Sequence, residues 1–173
     1  GPTGERLRRD EGIRPGTTVE SLGALGPAFQ HESWEQRFPD LRWVIHAGNA
    51  SQLSDGASAL LVMDRARAEA LSLAPRARVH AMTVVGDDPV LMLAGVIPAT
   101  RRVLDRAGMG LGDIDAFEVN EAFAPVVLAW QRDTGVDLDH VNAHGGAIAN
   151  GHPLGASGAK LTGTLLDVLE HTG

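Results

Sequence analysis

The sequence predicts an α/β fold, a mixed sheet with helices packed against it, on three observations. Strand-like and helix-like runs alternate from Leu41 onward, the pattern that crossover connections produce. Glycines stand where helices should stop, at Gly108 and Gly135, because the residue just past a helix end is commonly left-handed. The apolar share is 43% with 21% charged residues over 173 positions, ordinary for a chain that buries a core.

Residues 1–40 are Gly/Pro-punctuated and weakly periodic, so they read as a loop-rich arm, with residues 41–173 forming the α/β unit. Gly1-Pro2 reads equally as a protease scar and as residues from inside a larger protein. Ala57 to Val62 (Ala-Ser-Ala-Leu-Leu-Val) suits a buried strand, and Asp64 to Leu71 follows as a good helix former with an acidic start. Arg78 to Val85 alternates loosely like a second strand. Pro98 takes the first position of the next helix, where a missing N–H costs nothing; Val103, Leu104 and Ala107 give that helix its buried face, and Gly108 ends it.

Phe117-Glu118-Val119 reads as a short strand, and Asn120 as the N-cap of a helix that carries Val126, Val127 and Trp130 and closes at Gly135. A polar Asn-Glu pair at the carboxyl end of a strand is also where ligands of open α/β sheets bind. Both readings of Asn120 stand on local grounds. The last helix, from about Ser157 to Thr172, sets Leu161, Leu165, Val168 and Leu169 on one stripe with Lys160, Asp167 and Glu170 opposite, and Gly173 is its C′ position. An α/β unit ordinarily continues into a strand, so a further segment is expected.

Composition narrows the function. A net charge of −7 argues against nucleic acid, whose phosphates need clustered Lys and Arg. The sequence has no Cys, which excludes disulfides, thiolate metal sites and a cysteine nucleophile within these residues. The first residues form no apolar signal core, and no run approaches the roughly 20 apolar residues of a membrane span. The expectation is a soluble, unexported, cytoplasmic protein with no membrane partner.

Residues 145–158 read Gly-Gly-Ala-Ile-Ala-Asn-Gly-His-Pro-Leu-Gly-Ala-Ser-Gly. Such glycine density is costly to order and implies close backbone approach or positive φ. Neither a Walker A loop nor a dinucleotide fingerprint fits, so nucleotide binding is set aside. The ionisable side chain of the loop is His152, fixed by Pro153 and suited to general-base or hydrogen-bond-donor work. The simpler alternative is a loop histidine bonded to a backbone carbonyl. His46, His80 and His171 read as that kind of background, and His140 with His144 shows no metal spacing; no metal is assigned.

Asn120-Glu121-Ala122-Phe123-Ala124 and Gly145-Gly146-Ala147-Ile148-Ala149-Asn150-Gly151-His152-Pro153-Leu154-Gly155 together closely resemble two defining motifs of the thiolase family, in that family's order and at about its spacing. Arg9-Asp10-Glu11-Gly12-Ile13-Arg14-Pro15, and Gly48-Asn49-Ala50-Ser51 running into Ser54-Asp55-Gly56-Ala57, resemble it further. The resemblance implies a thiolase fold: part of the loop domain in residues 1–40, and most of a βαβαβ-type C-terminal domain, incomplete before its last strands, in residues 41–173.

It also implies ping-pong acyl transfer, in which a cysteine thiolate attacks a 3-ketoacyl-CoA, acetyl-CoA leaves and a second CoA takes the acyl group. CoA and acyl-CoA enter as substrates, with no resident cofactor. By resemblance His152 activates the cysteine and polarises a thioester oxygen, and Asn120 holds a water that completes that oxyanion hole. Ser51 would touch the pantetheine arm, with Phe123, Ala124 and Gly151 along the acyl and CoA channel. The family's two cysteines fall outside these residues, so partners are expected: the rest of a thiolase chain or a complementary subunit, in a homo- or hetero-oligomer. Retention of Asn120 and His152 favours part of an active acyltransferase; a non-catalytic acyl-CoA-binding or partner-binding module is the alternative.

Overall fold

The computed structural model describes residues 4, 6, 8–10 and 12–172; Gly1-Pro2, Glu11 of the arm motif and the C′ Gly173 lie outside them. The arm carries two short helices, α1 (Val19–Gly23) and α2 (Glu32–Arg37). Thr18 starts α1 with a reciprocal cap: its Oγ1 accepts from Ser21 N at 3.1 Å while its own N–H donates to Ser21 Oγ at 2.9 Å. The remaining described residues of the arm are irregular.

Helix α3 (Arg65–Ala70) forms where the sequence places it, with Asp64 as its N-cap, accepting from Arg67 N at 2.8 Å. Helix α4 (Val96–Ala107) begins ahead of Pro98, fed by a 3₁₀ turn at Met92–Gly95. Pro98 is therefore within the first turn rather than at its first position. That turn tolerates it equally, since its N–H groups have no intrahelical acceptors. Gly108 ends α4 at φ +66.

The strand expectations are corrected. Residues 57–62 and 78–85 form no ladder among the described residues, and several side chains lie open, Leu61 at 79% and Val84 at 89% exposure. Extended backbone becomes a strand only when a neighbour takes its N–H and C=O groups, and no described segment does so here. The expected 117–119 strand shrinks to one parallel bridge, Phe117 to Val141, through Phe117 N to His140 O and Asn142 N to Phe117 O, both 2.8 Å.

Helix α5 (Ala124–Thr134) takes Phe123, not Asn120, as its N-cap and closes at Gly135, φ +72. The reason is a long-range pairing: Ser51 N donates to Ala122 O at 3.0 Å and Ala124 N to Asn49 O at 2.9 Å, an antiparallel bridge centred on Ala50 and Phe123. That bridge keeps 122–123 extended. Two further helices complete the chain, α6 (Ala147–Asn150) in the glycine-rich segment and α7 (Ser157–Thr172) after it.

The core gathers between α4 and α5. Val119, Val127, Trp130 and Val141 are buried, with Val96, Ile97, Phe117 and Val136 against them. Trp130 is 1% exposed, its ring lies edge-on to Phe117 with centroids 5.2 Å apart, and its indole N–H donates to Thr100 Oγ1 at 2.9 Å. A buried indole thus keeps its hydrogen bond. On α7, Val168 is buried and Leu161 and Leu165 half-buried, while Leu169 remains exposed.

Leu161 and Val126 are half-buried; the open apolar surface lies at Leu53, Leu61, Val62, Met82 and Val84. Contiguous exposed apolar side chains make a chain adhesive. The 173 residues expressed alone are therefore expected to bind a hydrophobic dye and self-associate on gel filtration. A monodisperse, cooperatively melting monomer would contradict this.

Candidate active site

Three segments meet at the site: residues 49–52, residues 119–124, and the glycine-rich loop 145–152 running into α7. Asn142, left-handed at φ +51 and buried, accepts from Val119 N at 2.8 Å and donates to Val119 O at 2.9 Å and to Glu121 Oε1 at 2.9 Å. The other carboxylate oxygen of Glu121 accepts from Ile148 N at 3.0 Å. Gly146 makes room for this: a Cβ there would lie 2.0 Å from Glu121 Cδ. Gln52 joins the third segment, its amide donating to Ile148 O at 3.1 Å and its carbonyl accepting from His152 N at 3.0 Å.

These ties bring Asn120 and His152 together, with Nδ2 of the asparagine 3.4 Å from Nε2 of the imidazole. On its other side Nδ1 lies 2.6 Å from Ser157 Oγ, which in turn donates to Pro153 O at 3.1 Å. With the one hydroxyl hydrogen directed at Pro153 O, which can only accept, Nδ1 is the donor to Ser157 Oγ. Nε2 is left as the acceptor, aimed at the Asn120 amide. In this arrangement the first turn of α7 favours the Nδ1–H tautomer.

Of the other residues singled out from the sequence, Ser51 pairs by its backbone with Ala122, Phe123 lies edge-on to Phe29 at 5.7 Å, and Ala124 opens α5. All three flank the Asn120 corner. Gly151 is buried at φ +84, ψ 163, a glycine-only conformation, and a Cβ there would lie 2.0 Å from Ser54 Oγ. His46 accepts from Gly48 N, and the Nδ1 atoms of His140 and His171 contact the carbonyls of Asp115 and Asp167. Among the described residues no cluster of three or more His, Asp or Glu side chains could hold a metal ion.

Sequence reasoning missed Gln52, Ser157, Asn142, Glu118 and the clamp made by Glu121. Ser157 carried a readable signal, being a hydroxyl at the start of α7 within a turn of His152; Gln52 and Asn142 carried none. Glu118 is half-buried, and desolvation first, with the nearby Glu121 second, raises its pKa above the ordinary carboxylate value, while His144 and Lys160 act the other way.

The family models for the thiolase C-terminal and N-terminal domains match residues 73–173 and 2–66. The chain belongs to the thiolase family. It is 46% identical over 166 residues to a 3-ketoacyl-CoA thiolase of Colwellia psychrerythraea, covering 95% of this chain and 41% of the relative. It is 49% identical over 170 residues to one of Escherichia coli, covering 96% and 42%. Among solved structures it resembles a Bacillus anthracis acetyl-CoA acetyltransferase, TM-score 0.84 at 35% identity over 96% of this chain and 41% of that one. It also resembles human mitochondrial 3-ketoacyl-CoA thiolase in complex with CoA, TM-score 0.80 at 38% identity over 95% and 39%. The fold is that of thiolases, and the chain spans about two fifths of the length of the curated relatives it matches. No helix among the described residues is long and apolar enough to cross a membrane.

Two outcomes follow from the site. Gly146→Ala forces the Glu121 carboxylate off Asn142 and Ile148, and is expected to cost about 1–3 kcal/mol in urea unfolding of the full chain. A raised carboxyl pKa gives stability that is present at low pH and lost as pH rises through the folded value. Glu118→Gln is therefore expected to melt higher than the parent at pH 7, the gap closing as pH falls through the carboxylate range. An equal gap at both ends of the titration would contradict that.

Proposed function

We propose that these residues supply the histidine and asparagine part of a thiolase active site, for CoA-dependent thiolytic cleavage of 3-ketoacyl-CoA or the reverse Claisen condensation. The acyl group passes through a cysteine outside the 173 residues. The observation that carries the reading is the Asn120–His152 pair at 3.4 Å with Nε2 left as the acceptor.

In the cleavage direction the Nε2 of His152 takes the proton of the cysteine thiol, and the thiolate adds to the 3-keto carbon. The bond between carbons 2 and 3 breaks, its electron pair leaving with acetyl-CoA, which takes its proton at carbon 2 from the second cysteine outside these residues; that cysteine regains a proton from the incoming CoA thiol. The thiol of a second CoA then adds to the acyl-enzyme, and its collapse releases acyl-CoA and the thiolate. Asn120 supports the oxyanion through a water, and Ser51, Phe123, Ala124 and Gly151 flank the path of the acyl-pantetheine arm. The same reading takes residues 1–40 as part of a loop domain and residues 41–173 as most of a C-terminal domain. Its setting is a cytoplasmic homo- or hetero-oligomer with the rest of the thiolase chain or a complementary subunit.

The second reading is a non-catalytic thiolase-fold module that binds acyl-CoA or a partner, and a full protein without the two cysteines would favour it. Denaturing mass spectrometry of the native preparation separates the two by finding, or failing to find, a cysteine-bearing parent chain or companion. In the full protein His152→Ala is expected to lower thiolysis by roughly 10²–10³, with acyl-CoA affinity little changed. Thiolysis at the parent rate in that variant would sink the first reading; CoA binding without turnover in the parent protein would favour the second.

A further inference from the structure

Glu118 stands two residues before Asn120. Its Oε2 and the Oδ1 of Asn120 are both sealed from solvent, and neither has a hydrogen-bond partner among the described residues. Both side chains line one small cavity, closed by Gly145, Gly146, Ser157 and Lys160. The cavity leaves about 10 Å³ for the centre of a water molecule, close to the room a single one needs.

Neither oxygen finds a partner in the other, and burying either without one is costly. One water molecule answers both, because it carries two O–H donors. Lys160 also lines the cavity; its ammonium spends two hydrogens on Asn150 O and Gly151 O, at 3.2 and 3.1 Å, which leaves a third for such a water. We propose that Glu118 is a positioning residue for the Asn120 amide, acting through one water molecule held in this cavity.

The amide of an asparagine can present either its oxygen or its NH2 to a neighbour. A water that donates to Oδ1 holds the oxygen inward and turns Nδ2 toward His152 Nε2. That matches the tautomer which Ser157 favours from the other side of the ring. Glu118 and Ser157 therefore act on one imidazole from opposite directions, Glu118 through Asn120 and Ser157 by direct contact. Glu118 itself lies among Glu121, His144 and Lys160, which leave it without a paired partner of its own. Only the kinetic consequence rests on the proposed function; the water and the ring tautomer do not.

The test uses the full chain. A crystal structure that resolves water is expected to show one molecule within hydrogen-bond distance of both Glu118 Oε2 and Asn120 Oδ1. Ring ¹⁵N NMR is expected to find His152 as the Nδ1–H tautomer in the parent and in Glu118→Gln, which keeps an acceptor for the water. In Glu118→Leu the signal is expected to move toward the Nε2–H form. In thiolysis Glu118→Leu should lower kcat by about tenfold to a hundredfold with KM within about twofold, and Glu118→Gln should recover most of the rate. Density showing no water between the two oxygens, or a Glu118→Leu protein with the parent tautomer, overturns the proposal. If the leucine variant fails to fold, the density decides. A parent chain with the expected water and tautomer but no thiolysis would sink the proposed function and leave this inference standing.

Discussion

The carboxylate of Glu121 is the constraint on which the rest of the site depends. One oxygen accepts from the Asn142 amide and the other from the backbone of Ile148, so one side chain ties the 119–124 segment both to the turn after Val141 and to the glycine-rich loop. Both bonds are charge-assisted, stronger than neutral ones. The clamp closes only because position 146 has no Cβ. Gln52 then ties the loop to the 49–52 segment from the opposite side. With both ends of the loop fixed, the imidazole of His152 has one place to stand, between Asn120 and Ser157.

What could be read from the sequence is what neighbouring residues decide among themselves. Gly108 and Gly135 close helices because a left-handed residue there satisfies carbonyls of the preceding turn, a matter of a few positions. The α7 stripe is legible for the same reason. Asn120 was misplaced as an N-cap because the true start of α5 is fixed by Asn49 and Ser51, far away in sequence. The two runs 57–62 and 78–85 have strand composition, but a ladder is a property of pairs of segments, and β-propensity mostly records fit to such neighbours. His152 and Asn120 were found through their motifs, whereas Gln52 and Asn142, which hold them, follow no local rule.

The glycine-rich loop shows how the cost of ordering such a segment is met. Each glycine loses more backbone freedom than any other residue would, and the loop offers few side chains to bury. Its backbone is instead bonded from outside: Ile148 N by Glu121, Ile148 O by Gln52, His152 N by Gln52 O, and the carbonyls of Asn150 and Gly151 by Lys160. Fixed polar partners replace a hydrophobic anchor. That choice suits a segment that must present an imidazole at defined distance and tautomer, since hydrogen bonds fix direction and apolar contact does not.

Asn142 carries the same logic one step further. After the single bridge at Val141 the chain turns left-handed, φ +51, and the backbone leaves the register of a parallel pair. The side-chain amide then gives Val119 the donor and acceptor that a neighbouring strand would have offered. A continued strand would pair Val119 but would spend its side chains on the faces of the sheet. By leaving the ladder at that point, the chain frees the third contact of the amide, to Glu121 Oε1. The break in the sheet and the clamp that orders the site are thus one feature, and Asn120 stands where it does because pairing stops just before it.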